Sequence, residues 1–310
     1  MHWLIPFASA PADDARAALA TLVLPNLARL LAGLDSAGVD AGEETSLTPP
    51  HERALAREVG LHGDDGRLPW AAYFAARDGF EPGSSVWALV TPAHCEVGAD
   101  RVTLIDPDDL ALDAEASHQL FDAVAQLLDG DGIELHWAAP TRWYATGELF
   151  ADLPTASLDR VISRNVGRWL PAAGQQPALS RLQSEMQMVL HAHAVNAERE
   201  ANAAASINTL WFSGCGRYQM GSRPSDLQIV EPLRAPALAG DWSAWCDAWH
   251  NVDDGPLAVA RESMRLGHPV TLTLCGERSA HRFEARPRGV LKRLAARLQP
   301  VDPTHVLAAL

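Results

Sequence analysis

Lysine is almost missing from this chain: Lys292 is its only one among 25 basic residues, and the rest are arginines. A lysine Schiff base or a phosphate-loop lysine would have to come from Lys292, and neither motif surrounds it. Long apolar runs are missing as well, so no segment reads as a bilayer span. The opening stretch MHWLIPFASAPADD has no basic region and is interrupted by Pro6. It reads as a first strand and not as a secretion signal, which makes the cytoplasm the expected compartment. The cysteines are few, Cys95, Cys215, Cys246 and Cys275, and without CxxC spacing they read as reduced thiols with no zinc-ribbon pattern. Basic patches are lacking too. With 39 acidic residues the formal net charge is −14, which repels phosphate backbones and anionic membranes and removes nucleic acid and membrane as expected partners.

What is present is an ordinary globular composition, 47% hydrophobic and 21% charged over 310 residues, enough for one large core or two lobes. His2–Ala8 reads as a buried strand. Asp13 is positioned to cap a helix running to Leu31, kinked at Pro25, and Thr48 to cap one beginning at Pro49 and ending near Val59. Pro69–Tyr73 opens another short helix. Ser85–Pro92 and Arg101–Asp106 suggest a hairpin turning near Gly98. Asp113 caps a helix with Leu120, Phe121, Val124, Leu127 and Leu128 on one face, and Ile133–Ala139 returns as a strand. From Ala178 a long helix is expected past His193. Strands follow at Ile207–Phe212, Leu227–Glu231 and Pro269–Cys275, with a helix from Asp241 and a last one over Val290–Leu298. Strands interleaved with helices, with at least one hairpin, predict an α/β fold with a mixed β-sheet and flanking helices. The chain reads as a single unit over 1–310, and a Pro/Ala/Gly-rich link at 170–177 is where two lobes would divide.

Four places invite a chemical reading. INTLWFSGCG, residues 207–216, ends a strand in Ser213, Gly214, Cys215 and Gly216, whose backbone amides would suit an anion. A dinucleotide fingerprint fails there because Gln219 stands where its third glycine belongs. Trp242, Trp245 and Trp249 fall on one helical face, with Cys246 and His250 four residues apart; an aromatic core stripe outweighs a metal pair. His191 and His193 point apart on a helix, and Cys95 alternates away from His94 and Glu96 on a strand, so no dedicated metal site and no cofactor is expected. Cys275-Gly276-Glu277-Arg278 reads as a hairpin turn with an exposed ion pair.

Read together, residues 183–216 carry more than their parts. Glu185, Leu190, Asn196, Arg199, Asn208, Trp211, Gly214 and Gly216 occur in an order and spacing that resembles a segment of the archaeal-type cofactor-independent phosphoglycerate mutases. Thr48–Ala56, Leu68–Ala72, Gln183–Met188 and Leu272–Arg278 look like recurrent segments of a bacterial group, the RpfE-type regulatory proteins, also described as phosphoglycerate-mutase-like. The mutase resemblance implies an alkaline-phosphatase-like fold, a serine nucleophile and two divalent metals held by Asp and His. The chain departs from that pattern: no aspartate ends the first strand, and His268 and His281 stand alone in the last third. Phosphoryl transfer by that route needs those cations to neutralise developing charge. Three readings therefore stand. The first is a non-catalytic, regulatory relative with a degenerate version of the fold, binding a small anionic or phosphorylated metabolite near Glu185, Asn196, Arg199, Asn208, Ser213, Gly214 and Gly216. The second is a mutase or phosphatase with rebuilt metal ligands. The third is a thiol-dependent enzyme using Cys215 or Cys275. The first is preferred, and under it Arg199→Ala would weaken ligand-dependent stabilisation without unfolding the protein.

Overall fold

The computed structural model describes residues 1–128, 130, 132–170, 176–285 and 301–310. The chain enters through β1 (His2–Ile5) and β2 (Asp35–Ala41). It then builds β3 (Val86–Ala93), β4 (Cys95–Val97), β5 (Val102–Leu104), β6 (Glu134–Ala139), β7 (Arg142–Thr146) and β8 (Thr209–Arg217), and returns through β9 (Leu227–Ile229), β10 (Thr271–Cys275) and β11 (Ser279–Glu284). It forms two compact units: Met1–Val59 joined with Ser222–Leu310, and Gly60–Gly221 between them in sequence. The α/β class and the mixed sheet with flanking helices expected from the sequence are present. Most of the 170–177 link and the helix expected at Val290–Leu298 lie outside the described residues. Among the described residues, no helix is long and apolar enough to cross a membrane.

In the first unit the sheet order is β2-β11-β10-β1-β9, with β1 parallel to both β10 and β9, and β11 antiparallel to β10 and β2. Both faces of β1 are covered, which is why HWLI is buried throughout. Trp3 and Ile5 join Leu272 and Leu274 in one core with the buried Trp245 and Trp249. Leu4 and Cys275 face the other way, under Ala54 of the helix Pro50–Val59. The tryptophan stripe is thus core, its rings meeting edge to face at 6.1 Å. Pro25 does not kink one long helix: the segment splits into Asp13–Leu19 and Pro25–Gly33, and Pro25 opens the second. That second helix has no side-chain cap of its own. The buried Asp253 supplies one from far along the chain, accepting from the Asn26 and Leu27 nitrogens at 3.0 and 2.8 Å.

The second unit is a four-stranded antiparallel sheet, β6-β7-β3-β8, beside a separate β4–β5 hairpin. The turn near Gly98 is where the sequence put it, but the pairing is not: β5 pairs with β4, while β3 takes β7 and β8 as neighbours. One face of the sheet carries Val86, Val90, Trp143, Leu210 and Phe212 beneath the helices Ala114–Leu127 and Pro177–Ala192. Asp113 caps the former at 2.8 Å, as its position predicted. The opposite face carries Trp87 and Tyr144 under the alanines of the helix Trp70–Arg77. The helix expected to pass His193 breaks there instead. His193 is extended and its ring caps a new helix, Ala194–Ala201.

Candidate functional site

β8 organises the residues the sequence singled out, and it sorts them into two groups. At its beginning, the buried Asn196 donates from Nδ2 to the Leu190 and Ile207 carbonyls, each at 2.7 Å, and its Oδ1 accepts from the Ile207 nitrogen at 2.7 Å. Both polar atoms of this amide are therefore engaged with backbone, and they tie the helix break to the incoming strand. Arg199 does similar work, donating to the Ala205 carbonyl at 2.8 Å and the Leu110 carbonyl at 2.6 Å. Glu185 sits on the helix Pro177–Ala192, half-exposed and paired with Arg181 at 3.5 Å.

The second group lies about 20 Å further along, six residues of extended strand away. Ser213, Gly214, Cys215 and Gly216 do not leave β8 in a turn; the strand continues to Arg217. Trp87 pairs with Gly216 and Leu89 with Ser213, so Gly214 and Cys215 together stand opposite Ala88. Gly214 has φ +61°, the conformation a glycine-type bulge requires. A Cβ on Gly214 would lie 2.9 Å from Trp70 Cβ and 3.0 Å from the Ala71 nitrogen, and one on Gly216 would lie 2.8 Å from Pro69 Cβ. The two glycines let the start of the helix Trp70–Arg77 rest directly on the strand. Ser213 is buried in the same stretch. The sequence-predicted residues therefore do not converge on one cavity.

An opening does exist beside the first group. Asn208 reaches across to the β4–β5 hairpin, accepting from the Cys95 nitrogen at 2.8 Å and donating to the Cys95 carbonyl at 2.9 Å. This side chain extends the ladder by one backbone-like pair beyond the Asn208 nitrogen and Ala93 carbonyl at 3.1 Å. Next to it, His94 Nδ1 donates to the Ser206 carbonyl at 2.5 Å. Since a carbonyl only accepts, Nδ1 carries the proton, and in the neutral ring Nε2 keeps its lone pair. His94, Cys95, Glu96, Arg101 and Thr103 line an open dish of about 610 Å³. Glu96 is the cross-strand partner of Thr103. Glu96 and Thr103 thus share one face of the hairpin, while His94 immediately precedes β4 and Arg101 immediately precedes β5. The sequence reading placed His94 and Glu96 together but did not single out Arg101 or Thr103; the polar alternation across the Gly98 turn was the available signal.

The remaining chemical readings can be placed as well. Burial pushes the Cys215 thiol up to about 12 and the Cys275 thiol higher still, Cys275 also feeling the Asp40 carboxylate. Both are protonated at neutral pH, so neither is a ready nucleophile. Beyond β1, where the mutase resemblance implies a metal-binding carboxylate, the chain places Phe7, in a left-handed conformation with its ring 4.9 Å from that of His51. An apolar ring does not fit that ligand role.

The sequence matches no family model and no curated protein. Among solved structures, the chain is similar to a cofactor-independent phosphoglycerate mutase from Thermoplasma acidophilum DSM 1728, with 15% identity, 99% of each chain covered and a TM-score of 0.38. It is also similar to the PH0037 protein from Pyrococcus horikoshii, with 13% identity, 92% of this chain and 87% of that one covered, and a TM-score of 0.42.

Proposed function

We propose that this chain is a phosphoglycerate-mutase-like protein of the RpfE-type regulatory kind, which binds a small anionic or phosphorylated metabolite without turning it over. The observation that carries the binding half is Arg101. It opens into the hairpin dish, and its guanidinium has no hydrogen bond or ion pair among the described residues. In a chain of net charge −14 an arginine left without an acidic partner at a cavity is suited to an external anion. The regulatory half is supported by the protonated thiols and by Phe7 at the end of β1.

Thermal unfolding with increasing inorganic phosphate and 3-phosphoglycerate tests the first half, because a ligand of the folded state raises the midpoint in proportion to its occupancy. The expected result is a saturable rise that Arg101→Ala removes. A flat response in the wild type would remove the binding reading. Turnover of 3-phosphoglycerate by protein carrying stoichiometric manganese or zinc would replace the regulatory reading with that of a mutase whose ligands are rebuilt.

A further inference from the structure

The hairpin dish offers more than the Arg101 cation. Glu96 and Thr103, like Arg101, make no side-chain hydrogen bond or ion pair among the described residues, and of the His94 ring only Nδ1 is engaged, with the Ser206 carbonyl. Arg101 stands two residues before Thr103, the cross-strand partner of Glu96, and at such a diagonal position Cβ atoms lie within about 7–8 Å of each other. Both side chains are long enough to meet across that gap, yet no ion pair forms between them. The gap is wide enough for a short ligand to lie between them. A purely anionic ligand would leave Glu96 as a repelling neighbour. A ligand with an ammonium a few bonds from its anionic group would satisfy both ends.

We propose that the β4–β5 hairpin face selects a zwitterionic metabolite, an amine bearing a phosphate or carboxylate. Arg101 holds the anionic group, while Glu96 takes the ammonium, with His94 Nε2 accepting a second of its hydrogens. Asn208 is the positioning residue: its two bonds to Cys95 fix the first residue of β4, between His94 and Glu96. This inference rests on the reading that the dish binds a small anion, and it goes further in saying what else that anion must carry.

The test compares 3-phosphoglycerate with O-phosphoserine, which share a phosphate and a carboxylate and differ in a hydroxyl replaced by an ammonium. Dissociation constants are measured by titration calorimetry at low ionic strength, on the wild type, Glu96→Gln and Arg101→Ala. The wild type is expected to bind O-phosphoserine about fivefold more tightly, the size of an exposed charge pair. Glu96→Gln should bring the two constants together while leaving 3-phosphoglycerate at least as tightly bound, and Arg101→Ala should weaken both. Equal wild-type affinities, or a preference that survives Glu96→Gln, overturn the zwitterion proposal and leave anion binding standing. Failure of both ligands to bind overturns the anion reading and this proposal with it.

Discussion

Gly214→Ala is the substitution on which the account of β8 stands. The position has φ +61°, and an added Cβ would lie 2.9 Å from Trp70 Cβ and 3.0 Å from the Ala71 nitrogen. Two costs follow. Holding alanine in the left-handed region costs about 1–2 kcal/mol. The contact falls on a helix backbone that has to shift, and overpacking of that kind adds about 1–3 kcal/mol. Gly83 separates them: its φ is +54°, with nothing within 4 Å of the added carbon. Gly83→Ala should therefore show the first cost alone, and Gly214→Ala should exceed it by the second. The assay is urea unfolding followed by tryptophan fluorescence, a suitable reporter because Trp70 is buried at the contact. If the two variants are equally destabilised, the glycine is not there to admit the helix. An anion-holding role for the Gly214 amide would then regain its motivation.

The other predictions concern the backbone clips, the thiols and one buried histidine. Asn196→Ala strips partners from the buried Ile207 amide and the Leu190 and Ile207 carbonyls, and should cost about 2–4 kcal/mol in urea unfolding. Arg199→Ala, expected from sequence to spare the fold, should now destabilise it by about 1–3 kcal/mol in the absence of any ligand, through loss of the bonds to Ala205 and Leu110. An unchanged unfolding midpoint would return Arg199 to a ligand-holding role. Cys215 and Cys275 should resist an aromatic disulfide reagent at pH 7 in the native protein and react once it is unfolded; rapid native labelling would restore the thiol-enzyme reading. His2 lies between Glu58 at 3.2 Å and Thr273 at 2.8 Å. Burial lowers its pKa most, Glu58 opposes this and Arg282 adds to it, and the net shift is downward from 6.5. The unfolded chain thus takes up the proton first, so the contribution of His2 is intact above about pH 6.5 and is lost as the pH falls toward the lower folded value. His2→Gln should flatten the stability curve over that window, and an unchanged slope would refute the assignment.

Much of the fold was legible because it depends on short-range pattern. The capping position of Asp113, the tryptophan stripe and the turn at Gly98 each follow from spacing that local geometry imposes. What failed depends on partners distant in sequence. Nothing near Pro25 announces that Asp253 will cap the helix it opens, and nothing in Ser85–Pro92 tells that β7 and β8 will outbid the adjacent segment for its edges. The candidate site was legible to the same extent. Asn196, Arg199, Asn208, Gly214 and Gly216 were recognised as unusual. Their unusual character, however, does not distinguish a side chain that binds a ligand from one that binds its own backbone, because both need the same donors and acceptors.

That ambiguity changes what the segment 183–216 stands for. Asn196, Arg199 and Asn208 satisfy main-chain groups that strand pairing leaves open, and Gly214 and Gly216 clear room for a helix. Each task is set by the path of the backbone and is independent of any reaction. The side chains of Glu96, Arg101 and Thr103, which line the dish, have no such internal duty. Asn208 joins the two layers, since loss of its side chain would free Cys95 and loosen the hairpin without removing a single group that faces the dish.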